Sequence, residues 1–119
     1  MKQRVCALAM VLMMAVSLMI SAEARLITPT YSLDFNGTTA VCDVDIYANH
    51  TTDKIIANIK LWDGNTCLKT WTEVDYGALN FSETYSSGIQ AGKTYEMTVS
   101  YTIAGKGYPQ DSVSAYCPG

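Results

Sequence analysis

Few side chains in this sequence are of a kind that could do chemistry. His50 is the only histidine, and it stands in a polar run, Asn49–Asp53, that reads as a loop. A catalytic histidine needs a nucleophile and an orienting group within hydrogen-bond reach. No motif around His50 supplies either, so it reads as a solvated loop residue. Asp43 and Asp45 alternate, and in an extended chain they share one face about 7 Å apart. Paired carboxylates support glycoside chemistry or, with further oxygens, a calcium site. No cluster of oxygen ligands accompanies them, so they read as a solvated strand face and no metal is expected. Cys42, Cys67 and Cys117 are the cysteines outside the N-terminal leader. An odd number allows at most one bridge within the chain and leaves a thiol over. A thiol enzyme on Cys67 would need a base, and only His50 is available. The expected protein is no enzyme and takes no cofactor.

The aromatic residues are the more useful clue. Tyr31, Phe35, Trp71, Phe81, Tyr95 and Tyr101 fall in apolar registers and read as core. Trp62 is out of phase with Ile55–Leu61 and sits beside a tight turn. Tyr47 points away from its apolar neighbours, and Tyr76 and Tyr108 fall in loops. An exposed tryptophan with tyrosines nearby stacks on sugars or anchors a protein partner. Trp62, Tyr47, Tyr76 and Tyr108 are therefore the candidate ligand-binding residues, for an unknown protein or carbohydrate. The alternative for Trp62 is that it packs under a loop or covers a sheet edge.

The chain opens on Lys2 and Arg4, followed by the nearly unbroken apolar run Cys6–Ile20 and the small-residue site Ser21–Ala24. That is the pattern of a secretory signal peptide cleaved after Ala24, and the run is short for a membrane span. Residues 1–24 are thus expected to leave, taking Cys6 with them, and residues 25–119 to form one secreted domain. The formal net charge is −3, and losing the basic leader makes it more negative. An acidic balance argues against nucleic acid, which selects a basic face, and against an anionic membrane surface after cleavage.

The elements that must position these residues alternate with period two. Gly92–Ala104 is the clearest: Tyr95, Met97, Val99, Tyr101 and Ile103 lie on one side, with Thr94, Glu96, Thr98, Ser100 and Thr102 on the other. Strands are also expected at Tyr31–Phe35, Thr38–Ala48, Lys54–Trp62, Thr66–Val74, Ala78–Tyr85 and Asp111–Cys117. Asn36-Gly37 and Asp63-Gly64-Asn65 are hairpin signals, and Glu83 interrupts the apolar face of Ala78–Tyr85. About seven short strands with turns between them and no helical periodicity predict an all-β antiparallel sandwich, immunoglobulin-like or fibronectin-type. Gly92-Lys93-Thr94-Tyr95 resembles the corner at which such domains bond a tyrosine hydroxyl back to the preceding loop. Met97 stands where an antibody-type domain has a cysteine, which excludes that bridge.

In an alternating sandwich Cys42, Cys67 and Cys117 fall near one end. Export permits disulfides, and a Cys42–Cys117 bridge is the favoured pairing. It would close about 75 residues and add roughly 4 kcal/mol. Cys67 is then a free or intermolecular thiol, giving a monomer or a disulfide-linked dimer. Asn36, Asn49 and Asn80 match the glycosylation acceptor pattern and read as accidental.

The leader, the Arg25 start and the order Leu33-x-Phe35, Ala40-x-Cys42, Lys54-Ile55, Leu61-Trp62, Lys69-Thr70-Trp71 and Gly92-Lys93-x-Tyr95 together resemble small secreted single-domain proteins of Gram-positive gut bacteria, a family of unknown function. Cys67 and the short Lys54–Thr70 hairpin depart from that pattern. The resemblance implies an immunoglobulin-like sandwich and export, and no activity. Three functions are expected: a secreted binding or adhesion module first, then a structural component of the cell envelope or extracellular matrix, then a secreted effector, bacteriocin or inhibitor.

Overall fold

Alternating apolar residues bury one face of a strand only when a second sheet covers it, and here two antiparallel sheets cover each other. The computed structural model describes residues 28–119; the leader and the proposed cleavage point lie outside them. The strands are β1 (Thr30–Asn36), β2 (Thr39–Tyr47), β3 (Lys54–Asp63), β4 (Thr66–Tyr76), β5 (Ala78–Tyr85), β6 (Lys93–Ile103), β7 (Lys106–Gly107) and β8 (Asp111–Cys117). The seven expected strands are all present. The addition is β7, a two-residue piece between β6 and β8, just before the Tyr108 expected in a loop.

One sheet has the order β1-β2-β5, and the other the order β4-β3-β6, with β7 and β8 sharing the far side of β6. The core draws from both. Ala40, Cys42, Val44 and Ile46 of β2 meet Ile55, Ala57, Ile59 and Leu61 of β3 and Tyr95, Met97 and Val99 of β6, and all of these are buried. The alternation expected for β6 holds through Val99, whereas Tyr101 and Ile103 are only half-buried and Thr98 of the other face is buried. Ile89 is a further core residue, contributed by the β5–β6 loop. Its lone position among polar neighbours gave no periodic signal.

The edge strand β4 breaks the simple pattern. Leu61 pairs with Lys69 and Trp62 with Cys67, so Leu68 is left without a cross-strand partner, a β-bulge. Lys69, Glu73 and Asp75 stand opposite Leu61, Ala57 and Ile55. They share the inward face, where the narrower β1-β2-β5 sheet leaves room for charge. Inward-pointing charges and a bulge are the devices that keep an edge strand from pairing with another chain. The same openness frees Glu83 of β5, which is exposed although it pairs with the buried Cys42. Trp71 fills the space beside it, edge-on to Phe81 at 5.3 Å and to Tyr85 at 6.5 Å.

Candidate functional site

Strand direction sorts the loops into two ends. At the first end lie the β1–β2 and β3–β4 turns, the β5–β6 loop and Cys117. Both hairpin turns place glycine at the first of two loop positions with positive φ, 67° at Gly37 and 61° at Gly64. That is the φ pattern of a type II′ turn, so in Asn36-Gly37 the glycine alone carries the turn geometry. The Tyr95 hydroxyl accepts a hydrogen bond from the Gln90 backbone N–H at 2.8 Å, which is the corner contact expected from Gly92–Tyr95. Lys93 Nζ donates to Asp63 Oδ2 at 2.7 Å, and that bond raises the Lys93 pKa above its ordinary value.

Cys42, Cys67 and Cys117, the cysteines among the described residues, are unbonded thiols. The Cys42–Cys117 bridge is not formed. Cys117 Sγ lies 3.4 Å from the Gly37 carbonyl oxygen, at the β1–β2 turn. Cys42 sits further along β2, opposite Leu33. The Cys117 sulfur is thus turned to the β1–β2 turn, about three rungs or 10 Å along β2 from Cys42, and not to the Cys42 sulfur. Burial pushes the Cys42 thiol up to about 11, with the Asp43 carboxylate adding to the shift. Cys67 is exposed on β4, its Sγ 3.4 Å from Thr70 Oγ1.

Trp62 is half-buried on the outer face of the β4-β3-β6-β8 sheet. Its indole N–H donates to Thr98 Oγ1 at 2.9 Å, and Lys60 Nζ lies 5.8 Å from the ring centroid. The indole edge is thus already committed, and Trp62 covers the sheet rather than standing free. Asp43 and Asp45 share the outer face of β2 as expected. Asp45 accepts from Asn80 Nδ2 at 2.8 Å and from Thr30 Oγ1 at 3.4 Å, and no metal-holding group occurs among the described residues.

Tyr47, Tyr76 and Tyr108 all lie at the second end, but only Tyr108 is in a loop. Tyr47 and Tyr76 are the last residues of β2 and β4. The loop expected at Tyr76 is therefore strand, because its pairing with Lys54 carries β4 up to Gly77. There β2 finishes and β3 begins, β4 turns into β5 at Gly77, and β6 turns into β7. The Gly77 corner is bonded to the β2–β3 loop on both sides: its carbonyl accepts from Ala48 N–H at 2.9 Å, and its N–H donates to the Asp53 carbonyl at 2.9 Å. A Cβ at residue 77 would lie 3.0 Å from Thr51 Cα, with φ at +81°, so only glycine lets the two loops touch there. This contact holds Tyr47 and Tyr76 on either side of one corner. His50 caps the same loop, with Nδ1 3.4 Å from Asp53 Oδ2. Ala104 N–H donates to the Lys54 carbonyl at 2.8 Å and ties in the β6–β7 turn.

Tyr108 reaches the end by stacking on Tyr101, with ring centroids 5.0 Å apart and planes 11° apart. Its N–H donates to the Tyr101 carbonyl at 3.2 Å. Tyr101 and Tyr31 close the core between the sheets behind it. The Tyr31 hydroxyl is buried next to Tyr101 and Asp111 without a well-formed hydrogen bond to either. Desolvation raises the Tyr31 pKa first, with the nearby Tyr101 and Asp111 adding to it. Tyr101 is also raised, chiefly by desolvation, although its contact with Tyr31 works the other way.

Tyr116 is the exposed aromatic the strand pattern passed over. It is 60% exposed on the outer face of β8, opposite in phase to Val113, Ala115 and Cys117. That phase alone was the available signal.

Fold and site define a two-sheet β-sandwich with a tyrosine-lined loop end. No family model, curated protein or solved structure matches the chain.

Proposed function

We propose that this is a secreted, non-enzymatic binding module of the immunoglobulin-like or fibronectin type, and that it engages a protein partner through its tyrosine-lined end. The observation that carries this reading is that Tyr47, Tyr76 and Tyr108 are all exposed at one end of the sandwich, beside short loops that contain Asn, Thr and Gly. Tyrosine offers large amphipathic contact area at low entropic cost, and small polar residues adapt around it, which is the composition of binding loops carried on sandwich scaffolds. A β1-β2-β5 sheet facing β4-β3-β6-β8, with a tyrosine corner, supports the fibronectin-type assignment. The basic-then-apolar leader supports export.

The test compares the wild-type chain with a Tyr47→Ala, Tyr76→Ala, Tyr108→Ala triple variant and with Trp62→Ala on arrays of cell-surface proteins and glycans. Protein binding lost in the triple variant, with a circular-dichroism spectrum like the wild type's, supports the reading. Binding that survives the triple variant and disappears with Trp62→Ala moves the site to the sheet face; binding to glycans alone replaces the partner class.

A second reading rests on Cys67, which is exposed on an edge strand. A disulfide through it to another copy would make the protein a covalent assembly of the envelope or matrix. A non-reducing gel of secreted protein would then show a dimer that Cys67→Ser abolishes, and a purely monomeric band counts against it.

A further inference from the structure

We infer that Tyr101 and Tyr108 form an oxidative cross-linking site, in which a one-electron oxidant joins the two rings into dityrosine within one chain. Coupling needs two phenol rings held face to face at close range, with at least one reachable from solvent. The stacked pair meets both conditions: the centroids are 5.0 Å apart at 11°, and Tyr108 is exposed. The bond from Tyr108 N–H to the Tyr101 carbonyl fixes the pair through the backbone as well as through the rings. Holding two reactants in such an arrangement turns a slow bimolecular coupling into an intramolecular one. The other ring-to-ring contacts among the described residues, Phe35–Tyr95, Trp71–Phe81 and Trp71–Tyr85, are tilted or edge-on and contain at most one tyrosine each. Tyr31 meets Tyr101 through its hydroxyl, not face to face.

The chemistry balances with a peroxidase-type oxidant supplied from outside. Each phenol gives up one electron and one proton to become a phenoxyl radical. The two radicals pair at ring carbons ortho to oxygen, forming one carbon–carbon bond. Each of those carbons then passes its hydrogen to the phenolic oxygen, restoring the aromatic rings. Hydrogen peroxide takes up the two electrons and two protons and becomes two molecules of water. The link would tie the β7–β8 segment to β6 and fix the loop that carries Tyr108. It rests on the stacked pair alone and stands or falls independently of the partner proposed above.

The experiment treats dilute purified protein with a haem peroxidase and limiting hydrogen peroxide, then separates monomer from dimer. The expected result is dityrosine fluorescence in the monomer, with a peptide pair linking Tyr101 to Tyr108 that is two hydrogen atoms lighter than its parts. Tyr108→Phe should lower the monomer signal at least about tenfold, because phenylalanine forms no phenoxyl radical and Tyr101 is left without a coupling partner held beside it, while Tyr116→Phe should leave it unchanged. Circular dichroism of both variants confirms that they fold. A monomer without dityrosine, or one whose signal survives Tyr108→Phe, overturns the inference.

Discussion

The two ends of the sandwich are both tied by backbone hydrogen bonds but differ in where they put their aromatic residues. At the β5–β6 end, backbone groups are tied off: the Tyr95 hydroxyl holds Gln90, Gly92 N–H donates to the Cys117 carbonyl at 2.6 Å, and Ile89 plugs the core. Its turns put glycine where φ is positive. At the β2–β3 end, tyrosines stand outward, and the β6–β7 turn puts Ala104 at φ 52° ahead of Gly105 at 83°. Both loop positions are then left-handed, the pattern for which Asn-Gly is preferred. An alanine there carries local strain. One end buries its aromatic residue, and the other leaves Tyr47, Tyr76 and Tyr108 exposed.

Mutations at the two ends should separate sharply. Tyr95 is 1% exposed, and Tyr95→Ala should cost about 3–5 kcal/mol in urea denaturation, as for other buried aromatics. Tyr95→Phe, which leaves the Gln90 N–H unpaired, should cost about 1–3 kcal/mol. If the phenylalanine variant is as stable as the wild type, the corner does not close that end.

Alkali should also find the buried core. Cys42 has its pKa raised by burial from 9.0 to about 11. The unfolded chain therefore loses that proton first, and stability that is fully present below about pH 9 falls as pH rises toward about 11. Tyr31, raised in the same direction, adds to the decline at higher pH. Cys42→Ala should flatten the pH 9 to 11 part of the curve, measured by denaturation at a series of pH values. An unchanged slope would remove Cys42 as its cause.

Trp62→Phe keeps the apolar cover and deletes the bond to Thr98, so it should cost about 1 kcal/mol. A neutral result would mean that the indole N–H is as well served by water. Ala104→Asn should stabilise the chain by up to about 1 kcal/mol, because asparagine tolerates the left-handed region. Loss of stability there would show that the alanine side chain is needed at the turn. Smallest of all, Tyr76→Ala at the 57% exposed corner position should change stability by no more than about 0.5 kcal/mol. A larger loss would make Tyr76 part of the scaffold and erase the contrast between the ends.

Much of this was legible in the residue order. Period-two alternation in β2, β3 and β6 named the core, because a strand buries every second side chain whatever lies above it. Gly37 and Gly64 marked the hairpins, and Gly92–Tyr95 announced the corner, since these are contacts between near neighbours in the chain. The candidate site was legible as residue types but not as a place. Tyr47, Tyr76 and Tyr108 are far apart in sequence and share one end only because β2, β4 and β6 all finish there. Trp62's bond to Thr98, the bulge at Leu68, the burial of Ile89 and the separation of Cys42 from Cys117 likewise depend on which strands pair and in what register. Register is fixed by the summed fit of two whole sheets, and no single stretch of sequence contains that sum.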